Sequence, residues 1–151
     1  MKDSIQKYFQ VGTIQWMSHP PISYDLLDSI KSIASDEYFS AVEVTSIMDE
    51  ETRKKVKHLL EQSHLKVCFG AQPSLLGPGL NPNDVDEDRR KQAEEVLIKA
   101  VDEAEYLGAG GIAFLAGKWE EDTKALAYEQ LLKTTRSVCT HAAQKGMMVE
   151  L

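Results

Sequence analysis

The chain has 151 residues, with 17 Lys and Arg against 24 Asp and Glu, a net charge of −7, 42% hydrophobic residues and two cysteines. A globular domain of roughly 150 residues buries close to 70% of the surface its unfolded chain exposes, so the length supports a real core and the mixed composition argues against disorder. The acidic balance excludes broad electrostatic capture of nucleic acid or of an anionic membrane surface, since both need a basic face.

No stretch approaches the ~18 consecutive apolar residues of a membrane-spanning helix, and Met1 to Gln6 lacks the apolar run of a signal peptide. Cys68 and Cys139 are far apart and belong to no Cys/His cluster, which reads as reduced, buried thiols in a cytoplasmic protein. Phe9 to Met17 is rich in Val, Thr, Ile and Trp and stops at Ser18-His19-Pro20-Pro21, a first strand. Leu26, Leu27, Ile30 and Ile33 then recur at helical spacing over Tyr24 to Ile33, with Ser23 as the expected N-cap. Ala41 to Thr45 is a second strand; after Asp49 as cap, Val56, Leu59 and Leu60 share one face of a helix.

Leu65 to Ala71 is a third strand, followed over residues 72–83 by a Pro/Gly/Asn-rich loop of the kind that often carries function. Asp84-Val85-Asp86-Glu87 opens a long helix, with Glu expected at the third helical position. Its apolar face is Ala93, Leu97, Ala100, Val101, Ala104 and Leu107, and it ends at Gly108-Ala109-Gly110-Gly111, a run suited to a left-handed C-cap. Ile112 to Leu115 is a fourth strand. Ala125 to Lys145 is a helix whose face runs through Leu131, Leu132, Thr135, Val138, Cys139 and Ala142, and Met147 to Leu151 begins a fifth strand.

The order βαβαβαβαβ contains no hairpin signal, so the strands must be parallel. An open doubly wound, flavodoxin-like sheet and part of an eight-stranded barrel both satisfy it. Phosphate-loop patterns (GxGxxG, GxxxxGK[ST]) and the GxSxG nucleophile elbow are missing, and nothing near Cys68 would lower its pKa. Metal chemistry is the stronger candidate, because groups at the ends of parallel strands converge on one rim. Glu150, in Met147-Met148-Val149-Glu150-Leu151, and Glu43, in Ala41-Val42-Glu43-Val44, sit in apolar settings where a carboxylate is costly unless paired or metal-bound. Trp16, at the end of the first strand, is either a wall for a ligand or a core aromatic. His19 and Lys118 follow strands and are either substrate contacts or solvated side chains.

Leu80-Asn81-Pro82-Asn83-Asp84, Arg90, the run Ala104 to Ala109 and a short strand leading to Gly117 resemble the third and fourth units of the xylose isomerase-like TIM-barrel superfamily. Val42-Glu43-Val44 resembles its second strand, and Met148-Val149-Glu150-Leu151 its fifth, whose terminal Glu is the first metal ligand. The superfamily includes sugar-phosphate isomerases and epimerases, ketose 3-epimerases, inosose-processing enzymes and endonuclease IV-type repair nucleases. The resemblance implies a (β/α)8 barrel of which this chain, residues 1–151 as a single domain, supplies about strands 1–5 and helices 1–4.

It also implies a divalent ion, Mn, Mg, Co or Zn, held by Glu150 and by ligands outside this chain. That ion would serve a sugar, sugar phosphate or cyclitol isomerase or epimerase working through a metal-bound enediolate, with Glu150 as catalytic acid/base; Trp16, His19, Glu43 and Lys118, read from their places in and after the strands, are the candidate substrate contacts. On this reading the chain is the N-terminal portion of a longer enzyme and is inactive alone. A metal-dependent repair nuclease is disfavoured by the charge. A non-enzymatic half-barrel whose sheet edges pair in a homo-oligomer is the third reading.

Overall fold

Five parallel strands, β1 (Gly12–Ile14), β2 (Ala41–Val44), β3 (Lys66–Gly70), β4 (Gly111–Ala113) and β5 (Met148–Glu150), alternate with helices in a computed structural model that describes residues 4–151. Residues 1–3, the start of the segment read as lacking a leader, lie outside the described residues. A 3-10 turn (Ile5–Lys7) precedes β1; the helices are α1 (Gln15–Ser18), α2 (Leu26–Ser35), α3 (Glu50–Gln62), α4 (Gln72–Leu76), α5 (Glu87–Tyr106) and α6 (Lys124–Gln144). None of the described helices is long and apolar enough to cross a membrane.

The strands lie in the order β1-β2-β3-β4-β5, every neighbouring pair parallel. This decides between the two architectures. A doubly wound sheet reverses its direction of travel and so places helices on both faces. Here every crossover moves one strand further in the same direction, the winding of a barrel with its helices on one side.

Burial follows with a period of two. Val42, Val44, Val67, Phe69 and Ile112 are buried against the helices, where they meet Ile30, Ile33, Val56, Leu60, Leu97, Val101 and Val138. The alternate positions face the uncovered inner side: Lys66, Cys68, Met148 and Glu150 are exposed there and Glu43 is half-buried. The expectation of buried thiols therefore fails. Cys68 lies on the uncovered face, and Cys139 follows Val138 off the packed stripe of α6, so both are free and exposed.

Helix starts are set by aspartates. Asp25 accepts from the N–H groups of Leu27 and Asp28 at 2.9 and 3.1 Å, Asp49 from Thr52 at 2.7 Å, and Asp86 from Asp88 and Arg89 at 2.9 and 3.1 Å. Asp49 is the expected cap. Asp25 replaces Ser23, because Ser23 lies in a turn closed by its own N–H to Pro20. Asp86 moves Glu87 to the first helical position instead of the third. At the far end of α5, Gly108 has φ of 81°, the left-handed conformation a glycine adopts without strain.

The expected face of α5 is buried throughout, whereas that of α6 is rotated. Its buried residues are Ala127, Gln130, Thr134, Val138 and Ala142, with Leu131 and Leu132 only half-covered. A polar network draws Gln130 and Thr134 inward. Arg90, 4% exposed, donates to Glu87, Glu94 and Thr134, and Gln130 donates to Glu87. Thr134 in turn donates to the Pro82 carbonyl at 2.8 Å, tying α6 to the loop before α5.

Leu97 is fully buried between helix and sheet, so Leu97→Ala lowers the unfolding free energy by about 2–5 kcal/mol in denaturant titrations, with an unchanged m-value. The Arg90 guanidinium and then the Gln130 amide hold the Glu87 carboxyl down at about 2. A depressed carboxylate stabilises the fold above its unfolded pKa and loses that contribution as pH falls through the folded value. The thermal midpoint should drop between about pH 4.5 and 2, and Arg90→Met should flatten that part of the profile.

Candidate functional site

The uncovered face is organised in rungs. Ile14, Glu43 and Cys68 are register neighbours across β1, β2 and β3. Two residues further toward the C-terminal end, Gly70, Ala113 and Glu150 form the next rung across β3, β4 and β5. Small residues in the second rung leave room above it, and Glu43 leans into that room from the first. Glu43, Lys66, Cys68, Ala113, Met148 and Glu150 share one hollow of about 130 Å³.

Gly70 is the floor of the convergence. A Cβ built there would collide with Glu43 Oε1, Trp16 Cη2 and Gln72 Oε1, so a residue without a side chain is required where three others meet. Trp16 reaches this point from α1, a single helical turn that begins directly after Ile14. The expectation that β1 runs on to Met17 is thus corrected: Ser18 and His19 bond back to Ile14 and Gln15 carbonyls, closing the turn that swings the indole over the sheet.

The electrostatics of the hollow are set by its two carboxylates, with the Lys66 ammonium beside them. Burial, and then the negative charge of Glu150, push the Glu43 carboxyl above its usual range. Partial desolvation, followed by the charge of Glu43, raises the Cys68 thiol although the residue as a whole is exposed. Glu150 itself is exposed, on the free edge strand, so the expected burial cost falls on Glu43.

Of the residues singled out in the sequence, Glu43 and Trp16 meet above Gly70, and Glu150 faces the same hollow. His19 stands apart, capping α1 with its Nδ1 3.0 Å from Ser18 Oγ and its ring edge-on to Tyr24. Lys118 is exposed beyond β4 in a separate recess with Asn81, Val85 and Trp119. Its backbone carbonyl accepts from Asn83 Nδ2 at 2.9 Å, which ties the loop before α5 to the loop after β4.

Gln72 escapes sequence reasoning because residues 72–83 read as loop. Instead, Gln72–Leu76 form α4, and the residue falls two positions past the end of β3, the signal that could have found it. A further cavity of about 720 Å³ lies between α3 and α5, lined by Met48, Arg53, Val96 and Tyr106 among others.

Among the described residues no group of three or more His, Cys, Asp or Glu side chains is arranged to hold a metal ion. The donor chemistry nevertheless fits one. Two carboxylates share the hollow and their like charges are coupled, and carboxylate oxygens are the donors that Mg²⁺ and Mn²⁺ prefer and that Co²⁺ and Zn²⁺ accept.

Residues 33–151 match the family model described as a xylose isomerase-like TIM barrel. No curated protein matches the chain by sequence. Among solved structures, a D-tagatose 3-epimerase-like protein superposes with a TM-score of 0.76 at 18% identity, over 93% of this chain and 51% of that one. A D-psicose 3-epimerase crystallised in the presence of D-fructose gives 0.74 at 16% identity, with the same two shares. A putative sugar phosphate isomerase/epimerase from Anabaena variabilis gives 0.64 at 13%, over 93% and 52%. The chain thus spans about half the length of the structures it matches, and these likenesses show the fold.

Gly70→Ala should force Trp16 and Glu43 off the second rung. In a Trp119→Phe background, where Trp16 is the one remaining tryptophan, the emission maximum should shift red relative to the same background with Gly70 intact; an unchanged maximum would contradict the packing described.

Proposed function

Because the chain belongs to the xylose isomerase-like TIM-barrel family, we propose that residues 1–151 are the N-terminal part of an eight-stranded, metal-dependent isomerase or epimerase. The substrate class is a small sugar, sugar phosphate or cyclitol. The observation that carries this reading is the pair of carboxylates, Glu43 and Glu150, facing one hollow on the inner side of the sheet. The similar structures, a D-tagatose 3-epimerase-like protein, a D-psicose 3-epimerase and a putative sugar phosphate isomerase/epimerase, support the substrate class.

When bound, a divalent ion supplies Lewis-acid polarisation of a carbonyl and its neighbouring oxygen. The residues of this chain do the rest. Glu150 would be one ligand for that ion and, as acid/base, would exchange the proton on the carbon next to the carbonyl, the proton whose removal gives an enediolate. Glu43 accepts a hydrogen bond from a substrate hydroxyl, and Trp16 lies against the apolar face of the sugar. His19 and Lys118 belong to the rim on the substrate side. The three remaining metal ligands and the second acid/base come from strands six to eight.

A nucleic-acid substrate suits the chain poorly, because a net charge of −7 works against binding a polyanion. A cytoplasmic location accords with the two unpaired, exposed cysteines.

The reading is tested with D-fructose and Mn²⁺ or Co²⁺. A barrel carrying this segment should epimerise the ketose in a chelator-sensitive way, and Glu150→Gln should lower kcat by about 10²- to 10⁴-fold. The 151-residue chain alone should give no turnover. Metal-dependent turnover by that chain, or an unchanged rate in Glu150→Gln, would overturn the assignment.

A further inference from the structure

Two of the three side chains above Gly70 bring an oxygen to which nothing donates. Glu43 Oε1 and Gln72 Oε1 are both buried without a hydrogen-bond partner, and both crowd the space above Gly70 beside Trp16. Two acceptors cannot satisfy each other, and a buried lone pair without a donor forfeits the hydration it had in the unfolded chain. A half-turn of the Gln72 amide about its last torsion exchanges its oxygen for N–H and gives Glu43 Oε1 a donor, because a glutamine amide carries a donor and an acceptor on the same carbon.

The backbone under Gln72 is already held. Ala71 N–H donates to the Ala113 carbonyl at 2.8 Å, extending the β3–β4 ladder to the residue before Gln72, and Pro73 stiffens the start of α4. Of the two Glu43 oxygens only Oε1 is buried and partnerless, while the residue lines the hollow it shares with Glu150.

We propose that Gln72 is a positioning residue: it donates Nε2–H to Glu43 Oε1, pins the carboxylate against Gly70 beneath Trp16, and so holds Oε2 toward the hollow as an acceptor for a sugar hydroxyl. The assignment rests on reading the hollow as a sugar site. It adds to that reading a residue that touches Glu43, not the substrate, and a requirement that the substrate carry a hydroxyl at this point. A deoxy sugar would leave the fixed acceptor unpaired, which is the discrimination that a pre-set polar partner provides.

The bond is read directly in the isotopically labelled 151-residue chain by NMR. The Gln72 side-chain amide proton should resonate downfield of freely solvated glutamine amides, and Glu43→Ala should return it to their range. The reciprocal measurement leaves Glu43 in place: Gln72→Leu should move the Glu43 carboxyl-carbon resonance, and Gln72→Glu should fail to restore it, since it supplies no amide donor. A Gln72 amide that is indifferent to the loss of Glu43, or a Glu43 resonance indifferent to Gln72→Leu, overturns the proposal.

D-Fructose added to the same samples separates the two levels of the reading. It should perturb Glu43 and Trp16 in the parent chain, with the apparent affinity about tenfold weaker in Gln72→Leu, the scale of one hydrogen bond to a charged group. Equal affinities overturn the positioning role. Absence of any response in the parent chain counts against the sugar site, while the amide and carboxyl resonances still judge the Gln72–Glu43 bond.

Discussion

The feature on which the rest of the molecule depends is the direction of its crossovers. Parallel neighbours oblige the chain to return over one face of the sheet before each new strand, and here each return advances by one strand in the same sense. The crossover helices therefore lie on one side, and the strands' alternate residues are divided between a packed medium and an open one. Val42, Val44, Val67, Phe69 and Ile112 supply the core, and the residues between them are left for other work. The short strands suffice because each contributes only one or two side chains to either side.

The helix layer is joined less by apolar contact than by specific polar reach in some places. Glu103 of α5 accepts from Ser46 Oγ at 2.6 Å and from the Ile47 N–H at 2.7 Å, and Arg53 lies 3.9 Å from it. Lys57 of α3 donates to the Tyr106 carbonyl at 3.0 Å. These bonds cross the α3–α5 gap that holds the 720 Å³ cavity. Between α5 and α6 the buried Arg90 network plays the comparable part, with the difference that it is enclosed by packed residues. Loops at the strand ends are thereby anchored from helices and from one another, as with Asn83 and the Lys118 carbonyl.

The parts legible in the sequence are those written in periodicity. The α5 stripe, the Asp49 cap and the Gly108 stop all rest on local patterns, and all appear where those patterns place them. The errors occur where a distant partner outweighs the local pattern. Leu131 and Leu132 yield the inner face of α6 to Gln130 and Thr134, because there Arg90 offers Thr134 a donor and Glu87 offers Gln130 an acceptor. The cysteines read as buried because apolar strand neighbours do not reveal which face will be covered. For the site, strand-end carboxylates were visible as residue types, but which of them is desolvated depends on Gly70, Trp16 and Gln72 arriving from three separate segments. No spacing rule within a single stretch encodes that meeting.

The period-two division has a consequence for how such a chain can change over generations. A substitution at Cys68 or Met148 alters what the open face presents without removing a buried contact from the helix layer, whereas one at Val67 or Val149 alters packing and leaves the open face untouched. Adjacent codons thus answer to different selective demands, one set to folding and the other to whatever occupies the concave side. The scaffold can keep its stability while the chemistry it displays is rewritten one alternate residue at a time.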